Sequence, residues 1–203
     1  MKEQTNYEAI KKILEKNNGL ITRKEIDEEN IPSWFLTDFV KRNGLNKIAP
    51  GLYASDGHAA DEYFVLQRRY PKYVFSGMSA LYLHHLTDKI PEDIYVSCPQ
   101  GYHPSRKIIP SLVVAQISNQ NLYFLGIADV ETMFGNKVKA YDKERTICDL
   151  IKRREKYDGE TFVKALRAYL SGNPDQRKLF RYAKEMKIEN KVFEIMEVIT
   201  NED

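Results

Sequence analysis

The segment IPSWFLTDFVKRNGLNKIAPGLYAS, residues 31–55, decides how the N-terminal part of the chain is interpreted. Its opening proline and serine suit a helix start, and Asn43-Gly44 suits a helix end because both residues tolerate a left-handed backbone. At 100° per residue, the apolar side chains between these ends fall on one side of the helix and Trp34 falls on the other. The apolar runs that follow are separated by Ala49-Pro50-Gly51, which predicts a hairpin. A helix followed at once by a two-stranded ribbon is typical of a winged helix-turn-helix.

Two further helices are predicted before that segment. An apolar stripe from Tyr7 to Leu14 recurs at helical spacing and ends at Asn17-Asn18-Gly19. Thr22 and Glu25 form a capping-box pattern, which predicts a second helix over 23–29. Three helices and a hairpin within about 55 residues fit a compact winged domain, although any three-helix domain with a hairpin would give the same periods.

Composition and charge place the chain among globular proteins. It has 203 residues, of which 42% are hydrophobic and 30% charged, and a formal net charge of +2. Residues 1–60 carry nine basic and nine acidic side chains, whereas residues 137–191 carry sixteen basic and nine acidic, a net charge of +7. No window approaches the roughly 20 apolar residues of a membrane span, and no signal peptide is evident, so we expect a cytoplasmic protein without membrane contact.

The rest of the chain predicts a second domain. Residues 56–61 are small and polar, which indicates a linker between a DNA-binding domain at 1–57 and a C-terminal domain at 61–203. The second domain begins with two helices around a short strand and continues with β-rich runs, so a mixed sheet is expected. The fold class is therefore α+β. The β-rich runs are Ile94–Val96, Leu112–Val114, Leu122–Leu125 and Val138–Tyr141, and the C-terminal helices are expected near 143–155, 159–171, 174–186 and 189–200.

Three blocks of sequence stand out along the chain: Lys47–Tyr53 at the wing, Ser76–Leu81 after the linker, and Asp142–Leu150 at the start of the C-terminal helices. Together they resemble a known family, the AbiEi-type transcriptional regulators of bacterial abortive-infection systems. The resemblance implies an antitoxin of a type IV toxin-antitoxin system, whose N-terminal domain binds operator DNA and represses its own operon. It also implies that the C-terminal domain counteracts a nucleotidyltransferase toxin without forming a stable complex with it.

An enzyme is the alternative class, and specifically a nucleotide-modifying enzyme of phage defence. Gly77-Met78-Ser79 is similar to a nucleotidyltransferase motif, but Asp93-Ile94-Tyr95 has a tyrosine where a second metal-binding acid is needed. Pro91-Glu92-Asp93 and Glu189-Asn190-Lys191 match a nuclease pattern only as strings, because the second lies in a predicted helix. The sequence therefore assigns no catalytic residue, no metal and no cofactor.

The remaining reactive side chains favour structural roles. Cys98 and Cys148 lie in separate apolar runs without metal-ligand spacing, which indicates buried thiols. Adjacent histidines at 84 and 85 would diverge by about 100° on a helix, so surface or helix-end positions are favoured for them and for His103. Arg145 and Asp149 are spaced for a salt bridge.

The DNA-binding residues are predicted in two groups. On the reading helix, Thr37 and Lys41 can contact a base or a phosphate, and Lys47 beside the wing tip suits a phosphate. Trp34 either reads DNA or folds back over Tyr53 or the first helix. The C-terminal helices offer rows of basic side chains, for which solvated surface is the alternative. The full set is Ser33, Trp34, Thr37, Lys41, Lys47, Arg145, Lys152, Lys156, Lys164, Arg167, Arg177, Arg181 and Lys184.

Overall fold

The computed structural model describes residues 2–55, 61–103 and 111–201. The chain forms two compact units, one of Met1–Arg69 with Phe134–Asn136 and the other of Tyr70–Met133 with Lys137–Asp203. Both units contain helices and a sheet, so the α+β class is correct at this level. None of the helices in the described ranges has the length and apolar character needed to span a bilayer.

The first unit has helices around a small antiparallel sheet with strand order β1-β3-β2. Thr22 pairs with Leu52 and Asn46 pairs with Ala54, so β3 lies at the centre. A register shift between Lys47 and Ala49 places an irregularity in β2. In chain order the elements are α1 Lys2–Lys16, β1 Leu20–Thr22, α2 Arg23–Glu28, α3 Ser33–Arg42, β2 Asn46–Ala49, β3 Leu52–Ala54 and α4 Glu62–Arg69.

Local sequence signals explain most helix ends in this unit. The predicted capping box is confirmed, because Glu25 donates its backbone N–H to the Thr22 hydroxyl and its carboxylate accepts from the Thr22 backbone N–H. Gly44, with φ of +65°, follows α3 in the left-handed region as expected. The cap predicted at the start of α3 is wrong: Pro32 occupies the cap position, and no side chain caps this end.

Buried side chains from all three of the first helices form one core. They come from the apolar faces that the helical periods predict, with β1 closing the cluster. The buried members are Ile10, Ile21, Ile26, Ile31, Phe35, Leu36, Phe39 and Leu45.

Helix α4 belongs to the first unit, whereas the sequence placed it after the break. The Arg68 guanidinium donates to the Glu25 carboxylate at 2.7 Å and also to the Asn17 side chain. Asp61, which precedes α4, accepts from the Asn136 amide at 2.7 Å. These polar contacts hold α4 in the unit, so the boundary falls after Arg69. Of the predicted linker, residues 56–60 lie outside the described residues.

The second unit is built on a mixed five-stranded sheet of order β6-β5-β4-β8-β7. Strands β5 and β6 are parallel, β4 and β8 are parallel, and the other two pairings are antiparallel. Its elements are β4 Val74–Phe75, α5 Gly77–Leu83, β5 Ile94–Pro99, β6 Leu112–Ile117, α6 Gln120–Phe124, β7 Ile127–Glu131, β8 Lys137–Tyr141, α7 Lys143–Lys152, a 3-10 helix Arg154–Lys156, α8 Gly159–Ser171, α9 Gln176–Glu185 and α10 Glu189–Asn201.

One predicted strand in this unit is wrong. Residues 122–125 were expected in the sheet because of their apolar, β-prone composition, but most of them lie in α6. Asn119 explains the difference, since its side chain accepts from the backbone N–H groups of Asn121 and Leu122 and starts a helical turn. The sheet takes β7 in its place, a strand that the sequence did not predict.

The main core of the second unit lies among helices α5 and α7–α10. Its buried members include Leu81, Ile147, Leu150, Leu166 and Val192. Both cysteines are free and buried, as predicted. Burial raises the pKa of the Cys98 thiol and raises that of Cys148 to about 12.

Candidate functional site

The outward face of α3 carries the first group of predicted DNA contacts. Ser33, Trp34, Thr37 and Lys41 are all exposed on it. The Thr37 hydroxyl donates to the Ser33 carbonyl at 3.2 Å, and its methyl group remains at the surface. Lys41 forms no ion pair with any described residue. The face thus offers an aromatic ring, a hydroxyl and a cation, which are groups that contact bases and phosphates.

Two neighbouring charges on α3 neutralise each other. The Arg42 Nε lies 2.8 Å from the Asp38 carboxylate, one helical turn away. Such an exposed pair contributes only a few tenths of a kcal/mol to stability. The pairing also reduces the negative potential that Asp38 adds to this face of the helix.

Trp34 lies beside a groove between α1 and α3. The indole packs edge-on against Phe35, with ring centroids 5.5 Å apart, and 60% of the residue is exposed. The groove has a volume of about 470 Å³ and is also lined by Tyr7 and Lys11 of α1. The indole therefore lines a groove beside α1, which is the direction expected if Trp34 folded back over the first helix. More than half of the residue nevertheless stays exposed.

Lys47 is exposed on β2, in the hairpin that follows α3. Lys47 pairs with Tyr53 of β3, and its side chain forms no ion pair with a described residue. Three chain positions, Asn43 to Leu45, separate α3 from this strand. The two elements that the sequence assigned to DNA are therefore consecutive in the first unit.

Helix α9 carries the clearest basic row of the second unit. Leu179, Tyr182 and Ala183 are buried, whereas Arg177, Arg181 and Lys184 are exposed. The predicted division of this helix into apolar and basic sides is therefore confirmed. Helix α8 gives a weaker row, because Lys164 pairs with Glu160 at 2.7 Å while Arg167 is exposed.

The third predicted row, on α7, does not exist. Lys152 is exposed in the last turn of α7, but Lys156 lies in the separate 3-10 helix. Arg145 is only 3% exposed, so its predicted role as a phosphate contact is wrong. Its guanidinium donates to the Asp149 carboxylate at 3.0 Å, which confirms their salt bridge. It also donates to the carbonyls of Leu122 and Leu125.

A polar cluster around the start of α7 was not predicted from the sequence. Asp142 caps α7 by accepting from the Arg145 backbone N–H, and its second oxygen accepts from the Tyr182 hydroxyl at 3.1 Å. Lys178 of α9 lies 3.0 Å from both Asp142 and Glu144. Although burial lowers the pKa of Lys178, hydrogen bonds to the two carboxylates raise it above its ordinary value. The block Asp142–Arg145 thus fastens α7 to α9.

A small cavity with a mixed polar and apolar lining lies elsewhere in the second unit. It has a volume of about 90 Å³ and lies between the start of α5, strands β5 and β6, and the end of α7 with the 3-10 helix. Ser76 occupies the N-cap position of α5, but its side chain makes no capping hydrogen bond. Its hydroxyl instead accepts from Ser97 at 3.0 Å. No local pattern in the sequence indicates this pairing, because Ser76 follows β4 and Ser97 lies within β5.

The histidines occupy the kinds of position expected from the sequence. His84 follows α5 and its Nε2 lies 2.7 Å from the Tyr141 carbonyl, while His85 is exposed. Burial lowers the pKa of His84. His103 is exposed and contacts the Gln116 amide. Within the described ranges, no three His, Cys, Asp or Glu side chains are grouped so that they could hold a metal ion.

Comparison with known proteins gives a fold relative. No protein-family model matches the sequence, and neither does any curated protein sequence. Among solved structures, the chain is similar to the RV2827C protein from Mycobacterium tuberculosis, with a TM-score of 0.55 and 15% sequence identity. The similarity covers 89% of this chain and 71% of that one. At this identity the likeness concerns the fold alone: this chain shares an overall α+β architecture with RV2827C.

Proposed function

We propose that the protein is a transcriptional repressor and antitoxin whose N-terminal unit is a winged helix-turn-helix that binds operator DNA. One observation carries the proposal: the order α1, β1, α2, α3, β2, β3, with β1 completing the sheet of the β2–β3 hairpin. In this arrangement α3 is the recognition helix and the hairpin is the wing. The exposed side chains of α3 and Lys47 are then the DNA contacts.

The charge of the described residues supports a division of labour on DNA. The α3 face has few cations, so its contribution is short-range and depends on base sequence. Arg177, Arg181 and Lys184 of α9 supply a concentrated positive charge, which attracts phosphates whatever the base sequence. We propose that Lys152, Lys164 and Arg167 add to this sequence-independent attraction.

The antitoxin part of the proposal comes from the resemblance to AbiEi-type regulators. It assigns to the second unit the neutralisation of a cognate nucleotidyltransferase toxin, without a stable complex. In this proposal the protein acts by binding and has no catalytic residue of its own. The alternative, a nucleotide-modifying enzyme, requires metal-dependent transfer from a nucleoside triphosphate.

A binding titration on the DNA just upstream of the protein's own gene tests the proposal. Trp34 is the single tryptophan and lies on the proposed reading face, so its emission should change when operator DNA binds. We expect saturable binding at least about 10³-fold tighter than to a scrambled duplex of equal length. Equal affinity for both duplexes would contradict the repressor function.

A second experiment separates the antitoxin from the enzyme. The full chain and its Thr37→Ala/Lys41→Ala variant are each expressed beside the toxin, and cell survival is counted. If the second unit neutralises the toxin, the variant protects cells as well as the wild type does. Transfer of labelled nucleotide by the purified protein with Mg²⁺, in the absence of toxin, would favour the enzyme.

A further inference from the structure

The cavity between α5, β5, β6 and the end of α7 has features of a binding site that the proposed DNA-binding function does not use. Hydroxyl and basic side chains line one part of it, and Met78 and Val113 line another. A cavity of about 90 Å³ has room for several water molecules, and therefore for one tetrahedral oxyanion.

Two buried hydroxyl groups form the floor of this cavity. Ser97 is 3% exposed and Ser76 is 9% exposed, so both serines are more than nine-tenths buried. Ser97 donates to the Ser76 oxygen at 3.0 Å and is also hydrogen-bonded to the Tyr141 side chain, so the Ser76 hydroxyl can rotate to donate to a ligand. A buried donor of this kind is stabilised by an acceptor that enters the cavity.

The charged side chains of the lining favour an anion. Arg153 and Lys156 both line the cavity, and neither forms an ion pair with a described residue. Asp149 is the acid of the lining, and its charge is opposed by the Arg145 guanidinium at 3.0 Å. Arg153 also offsets the charge of Asp149, so together with Lys156 and Arg145 it gives this part of the unit an excess of positive charge, which favours an anionic ligand.

The shape of the cavity depends on Gly77 and on two tyrosines. A Cβ added to Gly77 would lie 3.5 Å from both the Tyr157 hydroxyl and the Tyr95 side chain, so Gly77 lies close beside both tyrosines in the lining. Gly77 also has a φ of +53°, which other residues rarely adopt. Tyr95, Val96 and Ser97 of β5 line the cavity, and none of the three carries a carboxylate of the kind that a divalent cation needs.

From this geometry we propose that the cavity binds a phosphate monoester or free phosphate directly, with Arg153 and Lys156 neutralising its charge and Ser76 donating a hydrogen bond. The site is in the second unit and does not depend on the proposed binding of DNA. A phosphate monoester fits the lining because it is a dianion near neutral pH and has three exposed oxygen acceptors.

Isothermal titration calorimetry of the full chain with EDTA present tests this site. The probes are inorganic phosphate and a nucleoside 5′-monophosphate, each compared with chloride at matched ionic strength and about pH 7.5, where phosphate is mainly dianionic. The variants are Arg153→Gln/Lys156→Gln and Ser76→Ala. Lys137→Gln/Lys191→Gln is the matched control, because it removes two exposed positive charges from the same unit outside the cavity.

We expect saturable binding of at least one probe by the wild type and the control, and a loss of about tenfold or more in Arg153→Gln/Lys156→Gln. Ser76→Ala should weaken binding by a smaller factor, with circular dichroism reporting whether it folds. Tighter binding of the nucleotide would identify a nucleotide site, and equal binding a site for phosphate itself. No saturable binding in the wild type, or unchanged affinity in Arg153→Gln/Lys156→Gln, would overturn the proposal.

Discussion

Helices α3 and α9 are both ten residues long and both bury one apolar face, yet their outward faces differ in chemistry. The face of α3 presents a tryptophan, a threonine and a single unpaired lysine. The face of α9 presents two arginines and a lysine. Amphipathic spacing alone therefore predicts how a helix packs but not what it contacts, because it does not fix the type of side chain on the exposed face.

The largest effect is expected from a buried arginine in the second unit, which contains α9. In Arg145→Met, the Asp149 carboxylate and two carbonyls lose their buried partner, which should destabilise the second unit by about 3–5 kcal/mol. Urea unfolding followed by circular dichroism measures this loss. Emission from Trp34 reports on α3 in the same samples.

If the two units unfold independently, the variant shifts the circular-dichroism transition and leaves the Trp34 transition in place. A Trp34 transition that moves by the same amount would show that the chain unfolds as one cooperative body. Arg181→Met is the control, since that arginine is exposed and its loss should change stability by less than about 0.5 kcal/mol.

The next effect concerns the reading face. Thr37→Ala and Lys41→Ala should each weaken operator binding by about 1–3 kcal/mol through loss of a base or phosphate contact. Stability should stay near the wild-type value because both side chains are exposed. Fluorescence titration of operator DNA gives the affinities, and Lys12→Ala on α1 provides a matched loss of charge. Wild-type affinity in both variants would mean that this face of α3 does not enter the groove.

A change in salt dependence is expected for α9. Replacing Arg177, Arg181 and Lys184 together by alanine should weaken binding to every DNA sequence alike. It should also flatten the slope of log affinity against log salt by about two to three. The reason is that each phosphate contact releases counterions, so binding with fewer contacts releases fewer of them. An unchanged slope would assign the row to solvated surface. In that case the exposed face of α3 would contact DNA, whereas the exposed face of α9 would contact only solvent.

The smallest effect is expected at Asp38. Asp38→Asn removes an exposed ion pair with Arg42, so stability should change by no more than about 0.5 kcal/mol. Operator affinity should rise slightly, since Arg42 is then available to a phosphate and the acid no longer repels one. Lower affinity in this variant would indicate that Asp38 accepts a hydrogen bond from a base.

Local patterns in the sequence predict much of the first unit. Phe35 and Phe39 are buried because helical spacing places them together, and the Thr22–Glu25 pair starts α2 through contacts within three residues. Local patterns do not predict contacts between residues that are far apart in the sequence. The basic character of Arg145 suggested exposure, but Asp149 and the carbonyls after α6 hold it inside. Ser76 and Ser97 are 21 positions apart and meet only because β4 and β5 pair.

The buried thiols have a practical consequence for labelling. Cys98 and Cys148 are 0% exposed, and burial raises the pKa of each, so the reactive thiolate form is scarce at neutral pH. Maleimide dyes attack thiolates that solvent can reach. A cysteine introduced in place of exposed Lys47 would therefore be modified selectively in the folded chain, without first replacing the native cysteines. A fluorophore attached there would give a distance probe at the proposed wing.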